Sequence, residues 1–196
     1  MIMHKLRLLL LLVVMPALVS VLAGCVAAAV GGAGSAVLIG EDRRTVGTVT
    51  EDQGIELKAM NRITNKFKDF KDAHVNLTSY SRMVLITGEA ADAATKADIE
   101  KIVRAVENVR GVYNEMTVGP ITAMSARAND SYITSKVKAR FLDERKFNPV
   151  HVKVVTEASV VYLLGLVKRK EADDAVEIAR TTSGVQKVVK LFEYLD

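Results

Sequence analysis

The feature that most restricts this chain is that everything after residue 51 is one unit written twice. Ile55–Met60 aligns with Ile133–Lys138 at an offset of 78 residues, and Ala73–Leu77 aligns with Val150–Val154 at 77. Met83-Val84-Leu85-Ile86-Thr87-Gly88 matches Val160-Val161-Tyr162-Leu163-Leu164-Gly165 at the same 77, whereas Gly111-Val112 matches Gly184-Val185 at 73. Four residues are close to one helical turn, so this pairing predicts a helix one turn longer in the first copy.

Each copy reads helix, strand, strand, helix, strand. In the first, Ile55, Ala59, Ile63 and Phe67 recur at i+4 as an apolar helical stripe. Val75 and Leu77 alternate with Asn76 and Thr78 as in a half-buried strand; a polar turn at Ser79–Arg82 and the apolar run Met83–Ile86 complete a hairpin. Ala91–Glu107 carries Ile99, Ile102, Val103 and Val106 on one side of an amphipathic helix, and Val112, Met116 and Val118 mark a closing strand. The second copy places a helix near Asp130–Arg145, with its N-cap among Asn129-Asp130-Ser131, then strands near 151–156 and 160–166, a helix near 170–181 and a strand from Val185. The expected fold class is α+β: two tandem domains at 52–118 and 129–196, joined by a linker at 119–128, each with two helices on a small three-stranded mixed sheet. Gly88 and Gly165, each ending an apolar strand, point to turns of positive φ. Gly111 and Gly184 suit the left-handed position that closes a helix.

Ahead of the repeat, Lys5 and Arg7 precede the apolar run Leu8–Met15, and Leu22-Ala23-Gly24-Cys25 follows. This is signal-peptide architecture over residues 1–24, with small residues before a cleavage point. The run Leu8–Val30, apolar or small apart from Ser20, is also long enough to span a bilayer uncleaved, but Pro16 and the Gly/Ala-rich second half favour cleavage. Leu22-Ala23-Gly24-Cys25 resembles the bacterial lipobox, which implies acylation of Cys25 and the outer membrane as destination, since Val26 is not Asp. Residues 25–51, small and then charged, read as a flexible tether. Losing Lys5 and Arg7 with the leader lowers the net charge from +4 to +2, which removes the main support for nucleic-acid binding.

The repeat resembles the BON domain, and two copies behind a lipobox resemble the dual-BON outer-membrane lipoprotein family, the DolP type, related to the periplasmic OsmY-type proteins. The residues that carry the likeness are Gly24–Val30, Val46-Gly47-Thr48, Gly111-Val112-Tyr113-Asn114-Glu115, Ala128–Thr134 and Gly165-Leu166-Val167. The resemblance implies a non-enzymatic protein facing the periplasm. It also implies binding of anionic phospholipid (phosphatidylglycerol, cardiolipin), chiefly by the second domain, and a role in outer-membrane integrity, with recruitment to the division site suggested. No cofactor is expected.

Charge and periodicity place that surface. Residues 52–118 hold ten Lys/Arg and ten Asp/Glu, whereas 129–196 hold twelve and ten. Ile133, Val137 and Phe141 at i+4 face the core, which turns Tyr132, Ser135, Lys136 and Arg140 elsewhere. Tyr beside Lys and Arg suits a membrane interface, ring among acyl chains and charge among headgroups; a solvated helix face is the plainer reading. Lys168-Arg169-Lys170 reads as a helix entrance that could add to the lipid surface. His74 and His151 hold equivalent places, but neither has a neighbouring Cys or second His, so no metal is expected. Ser79 and Ser81 lack a nucleophile-elbow context, and no phosphate-cradling loop occurs. The competing function is a protein-interaction adaptor that engages another envelope component through exposed sheet faces or edge strands.

Overall fold

The computed structural model describes residues 41–67 and 73–195; the leader, the lipobox and Cys25 lie outside the described residues. Asp42–Asp196 form one compact unit. Its first half runs α1 (Val46–Lys66), β1 (Ala73–Tyr80), β2 (Met83–Ala90), α2 (Ala93–Arg104), β3 (Gly111–Asn114) and β4 (Thr117–Val118). The second half runs α3 (Met124–Glu144), a 3₁₀ turn (Pro149–His151), β5 (Val152–Glu157), β6 (Val160–Val167), α4 (Arg169–Arg180) and β7 (Lys187–Tyr194). In each half a hairpin is antiparallel and the closing strand runs parallel to its second member. That gives the expected α+β domain twice. Among the described residues no helix is long and apolar enough to cross a membrane.

Strand alternation sends each sheet's side chains two ways. Val84 and Ile86 point into a core with Ile55, Ala59, Ile63, Ile99 and Val103 from α1 and α2. Val161 and Leu163 point into a core with Ile133, Val137, Phe141 and Ile178 from α3 and α4. The residues in between, Tyr80 and Leu85 in one sheet and Tyr162 and Leu164 in the other, pack together as a third buried cluster. The layers are therefore helices, sheet, sheet, helices. Burial in this seam pushes the Tyr162 hydroxyl up to about 12, with Glu115 and Glu157 adding to it. The sheet faces expected to be open to an adaptor's partner cover each other instead.

Both hairpins turn in two residues, Ser81-Arg82 and Ala158-Ser159, and all four have positive φ, between 49° and 66°. This is the backbone of a type I′ turn, which costs a non-glycine residue about 1–2 kcal/mol. A buried aspartate from the first helix of each half meets that cost. Asp52 accepts from the Ser81 and Arg82 amides at 2.9 and 2.7 Å and from the Ser79 hydroxyl at 2.7 Å. Asp130, 78 residues on, accepts from the Ala158 and Ser159 amides at 3.0 and 2.8 Å. Hydrogen bonds to a charged group contribute about 1.5–3 kcal/mol each, enough to hold the turns. Asp130 is thus not an N-cap: α3 begins six residues earlier, at Met124, and Asp130 lies buried within it.

The glycines sort differently from their spacing. Gly88 lies inside β2 at φ +112°, and a Cβ there would lie 2.0 Å from the His74 carbonyl oxygen; a Cβ on Gly165 would lie 2.4 Å from that of His151. Close backbone approach therefore demands glycine at both, although only Gly88 has a positive φ. Opposite Gly88 the closing strand breaks into β3 and β4, so the first sheet has four strands where three were expected. Gly111 opens β3 opposite Met83, and the structural counterpart of that position is Lys187, opposite Val160. The left-handed residue after α2 is Asn108 (φ 69°), and its counterpart after α4 is Gly184 (φ 97°). With that pairing α2 and α4 are both 12 residues long, and the extra turn predicted from the glycines is absent.

The tether ends earlier than expected, because α1 starts at Val46 and the residues before it are fixed. Arg44 bonds Asp52 at 3.0 Å and lies over the Tyr80 ring, 4.0 Å from its centroid, in the first domain. Arg43 reaches the second domain, bonding the Leu166 carbonyl at 2.8 Å and the Glu171 carboxylate at 2.6 and 2.8 Å.

Two outcomes follow. Asp130→Ala strands two amides and should lower unfolding free energy by about 1–3 kcal/mol in urea, against a change within about 0.5 for exposed Asp143→Ala. Arg43 holds the Glu171 carboxyl below the usual carboxylate range. Its contribution is therefore present above the ordinary glutamate value near pH ~4.3 and lost as pH falls through the lower folded one. The wild-type melting temperature should fall more steeply with acid in that window than that of Glu171→Gln; parallel curves would refute the pair's role.

Candidate functional site

The core stripe of α3, Ile133, Val137 and Phe141, is fully buried. On the opposite side of the same helix a second stripe is exposed: Met124, Ala128, Tyr132, Ser135, Ala139 and Leu142, spaced by three and four. Its large members stand well clear of the protein, Met124 at 72% and Tyr132 and Leu142 at 62% exposure. From Met124 to Leu142 this face spans about 27 Å of helix axis.

Cations border the stripe. The Lys136 ammonium sits over the Tyr132 ring, 4.7 Å from its centroid, and donates to the Ser183 carbonyl. Gly184, the next residue, is packed under this contact, where a Cβ would lie 3.2 Å from the Ile133 side chain. Lys138 and Arg145 are exposed, and Lys146 pairs with Glu144 at 3.0 Å. Ser135 is exposed and its hydroxyl donates back to the Ser131 carbonyl at 3.0 Å. The structure thus brings Tyr132, Ser135 and Lys136 onto one open surface.

Arg140 is turned away from it. Its guanidinium bonds the Ile178 carbonyl and the Thr181 and Thr182 hydroxyls at 2.8–3.0 Å, and Glu144 at 2.6 Å. These are the last turn of α4 and the residues just beyond it, so Arg140 ties the two helices together. Lys146 and, in opposition, partial burial, then Arg140, act on Glu144, and the cations hold its carboxyl below the usual range.

The sequence profile of the BON domain matches residues 51–120 and 129–196. The chain belongs to the BON-domain family. A Haemophilus influenzae protein named outer membrane lipoprotein DolP is 37% identical over 175 residues, which is 89% of this chain and 91% of that one. The 21 kDa hemolysin of Actinobacillus pleuropneumoniae is 29% identical over 79% of each chain. The osmotically-inducible protein Y of Escherichia coli is 27% identical over 73% of this chain and 72% of its own.

On α3, sequence reasoning missed Met124 and Leu142. The signal that finds them is a second i, i+3/i+4 series running half a turn out of phase with the core series. The geometry separates Arg140 from its neighbours in a measurable way. Arg140→Ala should cost about 1–3 kcal/mol of stability by leaving the end of α4 uncapped, with no loss of exposed apolar surface on α3. A variant as stable as wild type in urea would contradict this placement.

Proposed function

We propose that the chain is an outer-membrane lipoprotein facing the periplasm, anchored by acyl chains on Cys25, whose second BON domain rests the outer face of α3 on anionic phospholipid. The exposed stripe of Met124, Tyr132 and Leu142 with Lys136 and Lys138 beside it carries the reading. An apolar band with flanking cations lies naturally in the plane of a headgroup region. Inserting one large apolar side chain contributes up to about 1.5–3 kcal/mol, and each Lys near an anionic surface about 1 kcal/mol. The sum is modest, and the anchor makes it sufficient by holding lipid at an effective mM concentration. Acyl chains supply attachment; the helix supplies lipid choice and pose. The likeness to a protein named outer membrane lipoprotein supports the location. Envelope integrity is the role this arrangement serves, by binding rather than by catalysis.

Residues 42–196, which form one compact unit, provide an acyl-free test. They should float with vesicles containing phosphatidylglycerol or cardiolipin and not with phosphatidylcholine alone. Replacing Tyr132 and Lys136 together, or Leu142 with Ser, should weaken that partition about tenfold, equal to about 1.4 kcal/mol. Binding that is unchanged in both variants removes this face. Capture of an envelope protein that survives both variants favours the adaptor.

A further inference from the structure

The two BON domains meet almost as the halves of a symmetric dimer. Tyr80, at the end of β1, has its hydroxyl 3.5 Å from the carbonyl oxygen of His151, which leads into β5. The 77-residue offset turns Tyr80 into Glu157 and His151 into His74, and these two also meet across the seam. One contact repeats the other, as self-complementary pairing requires. The chemistry at the two places has diverged. Arg44 covers Tyr80, whereas metal-ligating groups gather around His74.

His74 and Glu89 are cross-strand neighbours in β1 and β2, with the His74 Nδ1 3.2 Å from a Glu89 oxygen. Glu157 comes from the other domain, where one carboxylate oxygen accepts from the Asn76 amide at 2.8 Å. One ligand atom from each of His74, Glu89 and Glu157 lies within 4.8 Å of the others. Both glutamates are more than nine-tenths buried, at 4% and 7% exposure. Among the described residues neither forms an ion pair with a Lys or Arg. Among the described residues no hydrogen bond reaches the second Glu157 oxygen, and the residue lines a cavity of about 370 Å³ between the domains. Two other charged groups line it. Asp130 is committed to its hairpin turn, and Arg127 has a buried Nε without a hydrogen-bond partner among the described residues. Glu157, Asp130 and Arg127 line this space and Glu89 lies beside it, so three carboxylates stand near one guanidinium. Buried charge of this kind calls for a counter-ion.

We propose that His74, Glu89 and Glu157 bind a divalent transition-metal ion, best matched by Zn²⁺, which fastens the two domains to each other. One imidazole nitrogen with two carboxylates is a three-ligand set that zinc accepts, water completing the shell. Ca²⁺ asks for six or more oxygens, and Mg²⁺ avoids nitrogen. Bonds of about 2.0–2.2 Å need the ligand atoms roughly 3–3.5 Å apart, a closure within reach of side-chain rotation. Supporting contacts are in place: the Thr122 hydroxyl donates to Glu89 and Asn76 holds Glu157. Such outer partners fix ligand orientation. The ion divides its ligands between domains, so its role is structural.

The test titrates ZnCl₂ into the purified full-length chain by calorimetry, with Co²⁺ as an optical probe. Wild type should bind one equivalent at the site, raise its melting temperature with zinc, and give cobalt d–d bands without thiolate charge transfer. Glu157→Gln, which keeps the Asn76 bond and the side-chain shape, and His74→Ala should each weaken binding by more than about tenfold and abolish the thermal shift. His151→Ala should leave both unchanged. Thr122→Val, which alters no ligand, should weaken binding about 10–100-fold and keeps the test open if a ligand variant fails to fold. No saturable binding in wild type, or equal binding in Glu157→Gln and His74→Ala, overturns the proposal.

Discussion

The whole arrangement depends on two small sheets that cannot each cover both faces alone. A domain of this size buries a limited share of its surface, and its two helices shield one side of its sheet. The other side, with Leu85 in one copy and Tyr162 and Leu164 in the other, is apolar and must be covered. Duplication supplies the cover, because a second copy carries the same need. The outcome for function is direct. With both sheet faces consumed, broad surface for recognition is left on the outer sides of the helices, and α3 carries three large exposed apolar side chains there, Met124, Tyr132 and Leu142, against Val46 and Leu57 on α1.

Within each copy the same economy appears at the hairpin. A single carboxylate, Asp52 or Asp130, reaches from the first helix to the turn and fixes two left-handed residues that are not glycine. It ties helix to sheet and sets the hairpin register together. The glycines serve a separate need, closeness of backbone: Gly88 and Gly165 lie where a methyl group would collide with the carbonyl of a histidine.

The strands and the core stripes were legible because periods of two and of 3.6 are written directly in Val75–Leu77, Met83–Ile86 and Ile133–Phe141. The pairing of Gly111 with Gly184 misled, because asparagine also tolerates positive φ and Asn108 does in one copy what Gly184 does in the other. The start of α3 was hidden since Met124–Asn129 carries no core residue, only the beginning of the outer stripe. Tyr132 and Lys136 could be placed from helical phase alone. Arg140 could not, because its fate depends on the end of α4, some forty residues away. His74 offered no metal signature in its own neighbourhood; its companions Glu89 and Glu157 arrive by strand pairing and by domain docking.

Arg43 and Arg44 stand next to each other yet grip different halves, the one Glu171 and Leu166, the other Asp52 and Tyr80. A protease that cut the peptide just before Val46 would take both grips away at a stroke. Severing the protein from whatever precedes this point and loosening its central seam are consequently a single event, and any shortened version that begins at the helix starts out already unfastened.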